Sequence, residues 1–167
     1  NYEGRVDSLK TGSTRATVKK MRMGKGTNMN LPPADALVLD CTDNFPTRFG
    51  LNAACRRLGK PLVSGAAIRF EGQVSVYFPG QGDSPCYRCL YDDGPGTTET
   101  CAQTGVVAPL LGIVGSVQAM EAIKVLAGIG EPLRGRLLLL DGLRMEWHSM
   151  RLKRDPQCPV CGPSTEN

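Results

Sequence analysis

Two C-x-x-C pairs, Cys86/Cys89 in PCYRC and Cys158/Cys161 in CPVCG, are separated by 68 residues in a chain of 167. If their four sulfurs converge, segments far apart in the chain must meet, and any fold that holds those segments apart is excluded. Four thiolates from two short knuckles are a common ligand set for structural zinc. A two-residue gap lets both sulfurs reach one ion while backbone amides support them. Pro85 precedes the first knuckle, and Pro159 and Gly162 shape the second. The same spacing also admits a redox dithiol, a disulfide, or four unrelated buried cysteines. The total of seven cysteines is odd, and no signal-peptide pattern is present. That fits a disulfide scaffold poorly and favours reduced thiols in a cytoplasmic setting. Cys41 and Cys55 read as small buried side chains.

Between the knuckles and ahead of them, the pattern is that of an α/β protein. Ala36-Leu-Val-Leu-Asp40 is a continuous apolar run ending in an acid, as in a buried parallel strand. Asp43, Asn44 and Pro46 are helix-start residues, and the helix is expected to reach Leu58 with Gly59 as its stop. Pro61-Leu-Val-Ser64 is the next strand, completing a βαβ unit. AIRFEG and QVSVYF then predict a strand pair turning near Glu71-Gly72, and residues 109–128 a long helix with small residues at spacings of three and four. Residues 136–141 and 145–152 predict two late antiparallel strands joined at Gly142. The expected fold is a partial Rossmann-like sheet with antiparallel additions and a four-Cys zinc site. No segment is expected to span a membrane, because Gln118, Glu121 and Lys124 interrupt the most apolar stretch.

Residues 1–33 differ from the rest. They carry seven Lys/Arg against Glu3 and Asp7, while residues 34–167 are close to neutral within a total formal charge of +4. They show no clear helical or strand periodicity and read as a basic, loosely ordered arm or the remnant of a truncated element. Residues 34–167 form the domain proper. A charge confined to one end argues against a domain-wide nucleic-acid binder.

The chemistry concentrates after the first predicted parallel strand. Ligands of open α/β sheets bind at the carboxyl ends of strands, where DCTDN lies. Asp43 there could hold Mg²⁺ beside nucleotide phosphates, with Asn44 next to it and Arg48 one turn on as an anion contact. The alternative is that Asp43 or Asn44 simply caps the helix. No G-x-G-x-x-G and no P-loop occurs, so a dinucleotide dehydrogenase is disfavoured. Cys101 stands in a polar loop, as a nucleophile or as an ordinary loop cysteine.

LVLDCTDNFPTR, PLVSGAAIRFEGQV, PCYRCL, ETCAQTGVVAPLLGIVGSVQAMEAIKVLAG and CPVCG, in that order over residues 36–162, resemble the ThiF/MoeB/HesA family. Its members are ubiquitin-activating-enzyme-like adenylyltransferases, and the molybdopterin branch is the nearer one. The resemblance implies Mg-ATP-dependent adenylation of the C-terminal glycine of a small ubiquitin-like sulfur-carrier protein ending in Gly-Gly. Pyrophosphate is released, and the carrier serves sulfur transfer in molybdopterin or thiamine biosynthesis. It implies that Asp43 contacts Mg-ATP, that Cys86, Cys89, Cys158 and Cys161 bind structural zinc, and that Cys101 matches a loop cysteine linked covalently to the carrier in the thiamine branch. It also implies a homodimer assembled in the region of helix 109–128, with neither nucleic acid nor membrane as partner. The family's glycine-rich ATP loop and further acidic, Arg and Lys ligands precede the CTDN strand and are absent from this sequence. The expectation is a C-terminal half to two-thirds of such an enzyme, with a strand edge and an apolar face uncovered. The alternative is a truncated, non-catalytic zinc-binding scaffold that retains carrier or dimer contacts.

Overall fold

Leu37–Asp40 forms a short strand because four apolar or buried residues in a row suit a position covered on both faces. This strand is β3 of a seven-stranded sheet in the order β1-β2-β3-β4-β5-β6-β7. In this computed structural model the described residues are 5–11, 14–20, 37–91 and 104–162. β1 (Arg5–Thr11) and β2 (Thr14–Lys20) form an antiparallel hairpin, and β2 pairs antiparallel with β3 through Thr17↔Leu39, Val18↔Val38 and Lys19↔Leu37. Residues 5–11 and 14–20 of the expected basic arm or truncation remnant are strands. Val6, Thr14, Thr17 and Val18 are β-branched residues whose backbone preference outlasts the lack of a clean alternation. The edge of β3 expected to be open is paired by that hairpin.

Helix α1 (Phe45–Leu58) starts where Asn44, in extended backbone, accepts a 2.9 Å hydrogen bond from the Thr47 amide. Pro46 fits the first turn, where no intrahelical amide bond is lost. Gly59 ends it with φ of 63°, a left-handed conformation that costs glycine nothing. β4 (Leu62–Ile68) follows, parallel to β3, and β5 (Glu71–Tyr77) turns back antiparallel. The expected break between two separate strands after Ser64 does not exist. Gly65 and the two alanines continue β4, and the turn falls at Arg69-Phe70 rather than Glu71-Gly72. β6 (Arg136–Asp141) and β7 (Glu146–Arg151) complete the sheet as the expected antiparallel pair.

Alternation along the strands divides the core in two. Leu37, Val63, Val74 and Val76 pack with Leu110, Val114 and Ala122 of α2 (Ala108–Ala127). Val38, Leu62 and Tyr77 belong to the other cluster, with Leu51 and Cys55 of α1 and Tyr87 of a 3-10 turn at Tyr87–Cys89. Burial of each such large side chain contributes about 1.5–3 kcal/mol.

Helix α2 is long and, at a mean hydropathy of 1.5, apolar enough to cross a membrane by length and composition alone. Its polar residues show what it does in this fold. Gln118 and Glu121 are buried, and Glu121 accepts a 2.7 Å hydrogen bond from the Leu133 amide and pairs with Lys124. The helix lies against β4 and β5 as a core element.

Candidate active-site cleft and cysteine knuckle

The carboxyl ends of β3 and β4 open into a cleft of about 350 Å³, within the size range of small-molecule sites. Cys41, Thr42 and Asp43 form one wall, Gly65, Ala66 and Ala67 a second, and Val114, Gly115 and Gln118 of α2 a third. The loop from Asp40 to Asn44 is held largely by buried side chains. Asp40 is fully buried, and one of its carboxylate oxygens accepts from the Thr42 amide at 3.0 Å and the Thr42 hydroxyl at 2.7 Å. The other accepts from the Ser64 hydroxyl at 3.3 Å. A buried carboxylate with three donors is satisfied, and its role is to shape the loop.

Asp43 and Asn44 separate two jobs that the sequence left open between them. Asn44 is the cap of α1. Asp43 is exposed in the cleft, accepting only a 3.3 Å bond from the Asn44 side-chain amide among its recorded hydrogen bonds. Its carboxylate stands beside the amino end of α1, where the helix dipole favours negative groups. Arg48 lines the inner cleft, yet it is 7% exposed, and its guanidinium donates to the Thr42 carbonyl through Nε at 3.2 Å and through Nη2. Nη1 donates to the Tyr87 hydroxyl at 3.5 Å. Burial works against the Arg48 charge, but the Tyr87 hydroxyl and the neighbouring Asp40 hold its pKa above the ordinary value. The side chain expected to meet an anion is occupied in bracing the loop.

Gln118 is a functional candidate the sequence reading used only as a membrane veto. Its Nε2 donates to the Asp40 carbonyl at 2.9 Å and to the Val63 carbonyl at 3.4 Å, so one side chain ties α2 to the ends of both parallel strands. Gly65 makes room for it, since a Cβ there would lie 2.2 Å from the Gln118 side-chain carbon. The signal was available: 110, 114, 118, 121 and 122 share one helical face, and a glutamine on that face must find partners. Cys41, expected in the core, is instead exposed on the cleft wall and donates to Gln118 Oε1 at 3.6 Å. Burial and the nearby Asp40 raise its pKa. Cys55 is buried as expected, its thiol pushed up to about 12 by burial. Cys101 lies outside the described residues.

The four remaining cysteines meet. Cys86, Cys89, Cys158 and Cys161 have sulfurs within 4.8 Å of one another. Individual separations are 3.9 Å for Cys86–Cys89, 3.7 Å for Cys86–Cys158 and 3.2 Å for Cys89–Cys161. A tetrahedron of four thiolates around zinc, with bonds of ~2.3 Å, has sulfurs about 3.8 Å apart. The cluster therefore has the donor set and spacing to bind a metal. Amides converge on it: those of Cys86 and Asp155 donate to Cys89 Sγ, each at 3.5 Å. At Cys158 burial raises the pKa, but the amides of Cys161 and Val160 outweigh it and the thiol is lowered. Gly162 allows the second knuckle to close, because a Cβ would fall 2.5 Å from the Cys158 carbonyl oxygen.

Residues 5–160 match the ThiF family. The chain belongs to that family. It is 52% identical over 126 residues to the molybdopterin-synthase adenylyltransferase of Escherichia coli K12, covering 75% of this chain and 50% of that protein. It is 50% identical over 137 residues to the sulfur carrier protein adenylyltransferase of Thermus thermophilus, covering 79% and 50%. The chain thus spans about half the length of the curated relatives it matches. Among solved structures, Escherichia coli MccB aligns with a TM-score of 0.63 at 17% identity, over 78% of this chain and 41% of that one. That likeness establishes the fold. The ThiF-family assignment accords with the mixed sheet, the cleft at its carboxyl edge and the cysteine knuckle.

Proposed function

We propose that this ThiF-family chain supplies the Asp43 loop and the metal knuckle of an adenylyltransferase acting on a ubiquitin-like sulfur-carrier protein. The carrier's C-terminal glycine carboxylate attacks the α-phosphorus of Mg-ATP, an acyl-adenylate forms, and pyrophosphate leaves. The observation that carries this reading is the exposed carboxylate of Asp43 at the carboxyl end of β3, held on a loop that buried Asp40 shapes. Asp43 would hold the magnesium of Mg-ATP, and the amino end of α1 would face phosphate charge. The names of the relatives, one a molybdopterin-synthase and one a sulfur carrier protein adenylyltransferase, support the substrate class. Cys101 is the residue this reading assigns to covalent capture of the activated carrier.

The same reading makes the knuckle a structural zinc site, since a closed set of four thiolates leaves no open ligand position. It also makes the protein a cytoplasmic homodimer. The face of α2 turned away from the cleft exposes Met120 with the small residues Gly112, Ser116 and Ala119, and such a face permits close helix contact. A second reading is a non-catalytic zinc scaffold, and the convergence of the four cysteine sulfurs is the observation that favours it. ATP–pyrophosphate exchange with a carrier ending in Gly-Gly separates the two. Carrier-dependent exchange is expected from the protein at its full natural length; no exchange there contradicts adenylation and leaves the scaffold.

A further inference from the structure

Arg48 and Asn52 sit one turn apart on the same face of α1, and both are buried. Their bonds run in opposite directions along the molecule. Arg48 holds the Thr42 carbonyl, in the loop that carries Asp43. Asn52 holds the first knuckle: its Oδ1 accepts from the Tyr87 amide at 3.0 Å, and its Nδ2 donates to Cys86 Sγ at 3.6 Å. Tyr87 closes the path, because it lies between Cys86 and Cys89 and its hydroxyl receives Arg48 Nη1 at 3.5 Å. It is 1% exposed, and its ring is wedged against Phe49, Tyr77 and Tyr91 at centroid distances of 5.7, 6.0 and 4.8 Å. A tyrosine so packed cannot swing away while the knuckle on either side of it is closed.

We propose that Tyr87 and Arg48 are positioning residues that link the four-cysteine knuckle to the Asp43 loop, so that metal occupancy sets the order of the nucleotide cleft. The consequence for catalysis rests on the adenylation reading; the mechanical link does not. Closing the knuckle on a metal fixes Tyr87, Tyr87 fixes the Arg48 guanidinium, and Arg48 fixes Thr42 one residue before Asp43. An opened knuckle frees all three. The metal site would then act as a control point as well as a staple, because loss of metal would loosen the loop.

Amide hydrogen exchange on the full chain with its metal bound tests the link directly. The amides of Thr42, Thr47 and Arg48 are the reporters, since each donates a hydrogen bond that defines the loop or the first turn of α1. Tyr87→Phe keeps the ring and removes only the hydroxyl. It is expected to retain the metal and to lose roughly tenfold in protection at these amides, the loss of one hydrogen bond to a charged group. Leu140→Ala, a core change in β6 within the cluster on the other face of the sheet, is expected to leave them unchanged. Stripping the metal from the wild type should reproduce the tenfold loss, and stripping it from Tyr87→Phe should add little. Unchanged protection in metal-bound Tyr87→Phe overturns the link, as does an equal further loss on stripping both proteins. Pyrophosphate exchange by the same wild-type protein reports separately on the adenylation reading.

Discussion

The cleft opens at the amino end of α1, the knuckle packs against the middle of that helix at Asn52, and the two are built on opposite principles. The knuckle is closed, made from four like side chains in two short stretches, and needs nothing beyond its own sulfurs to be recognised. The cleft is open, and its walls come from four segments whose residues are unlike one another. The difference teaches why one was legible and the other was not. Tetrahedral coordination imposes a spacing rule that survives in the linear sequence. A cleft imposes only a spatial rule, written in the places where strands and a helix converge.

Removing a ligand tests the knuckle's half of that contrast with the largest expected effect. A metal held by four thiolates stabilises the segments it joins, while the two hydrophobic clusters hold the rest of the fold when it is removed. Cys158→Ser is therefore expected to lose the metal, about one ion per chain, and to lower the melting temperature. Elemental analysis and thermal unfolding check this, and full metal content in the variant would break the four-ligand assignment.

Gly65→Ala attacks the cleft at its tightest point. The added carbon would collide with Gln118, displacing it and leaving the Asp40 and Val63 carbonyls without that donor. A cost of about 2–4 kcal/mol is expected in denaturant unfolding. A near-neutral result would mean that α2 is not tied to the strands through this side chain. Asn44→Ala removes the cap on which the loop turns into α1 and should cost about 1 kcal/mol.

The smallest effect concerns Cys41, the exposed thiol on the cleft wall. Its pKa is raised by burial and by Asp40, so the thiolate appears only at higher pH than in an ordinary cysteine. Alkylation followed by mass spectrometry should show a rate rising with pH and a midpoint above that of a free thiol. A lowered midpoint would mark Cys41 as an activated nucleophile.

Much of the architecture was readable because short apolar runs, capping residues and glycine stops are local signals. Leu37–Asp40, α1 with its Asn44 and Gly59 ends, and the β6–β7 pair all follow from them. The failures were non-local. The strand read as ending at Ser64 continues through Gly65, where Gln118, far along the chain, fills the space of the missing side chain. Residues 5–11 and 14–20 lacked a clean alternation, and their pairing with each other and of the second with β3 is what makes them strands. Arg48 reads as an anion contact from its place one turn into α1, and its contacts to Thr42 and Tyr87 are ones no local signal announces.

The most direct test of the central claim is Asp43→Ala in the protein at its full natural length, with pyrophosphate exchange and thermal unfolding measured on the same sample. Asp43 is exposed and Asn44 is the cap, so stability should stay within about 0.5 kcal/mol of the wild type. Exchange should fall by on the order of a hundredfold or more, as expected for loss of a charge that stabilises the transferring group. A variant that keeps most of its exchange activity would contradict the assignment of Asp43 as the catalytic carboxylate.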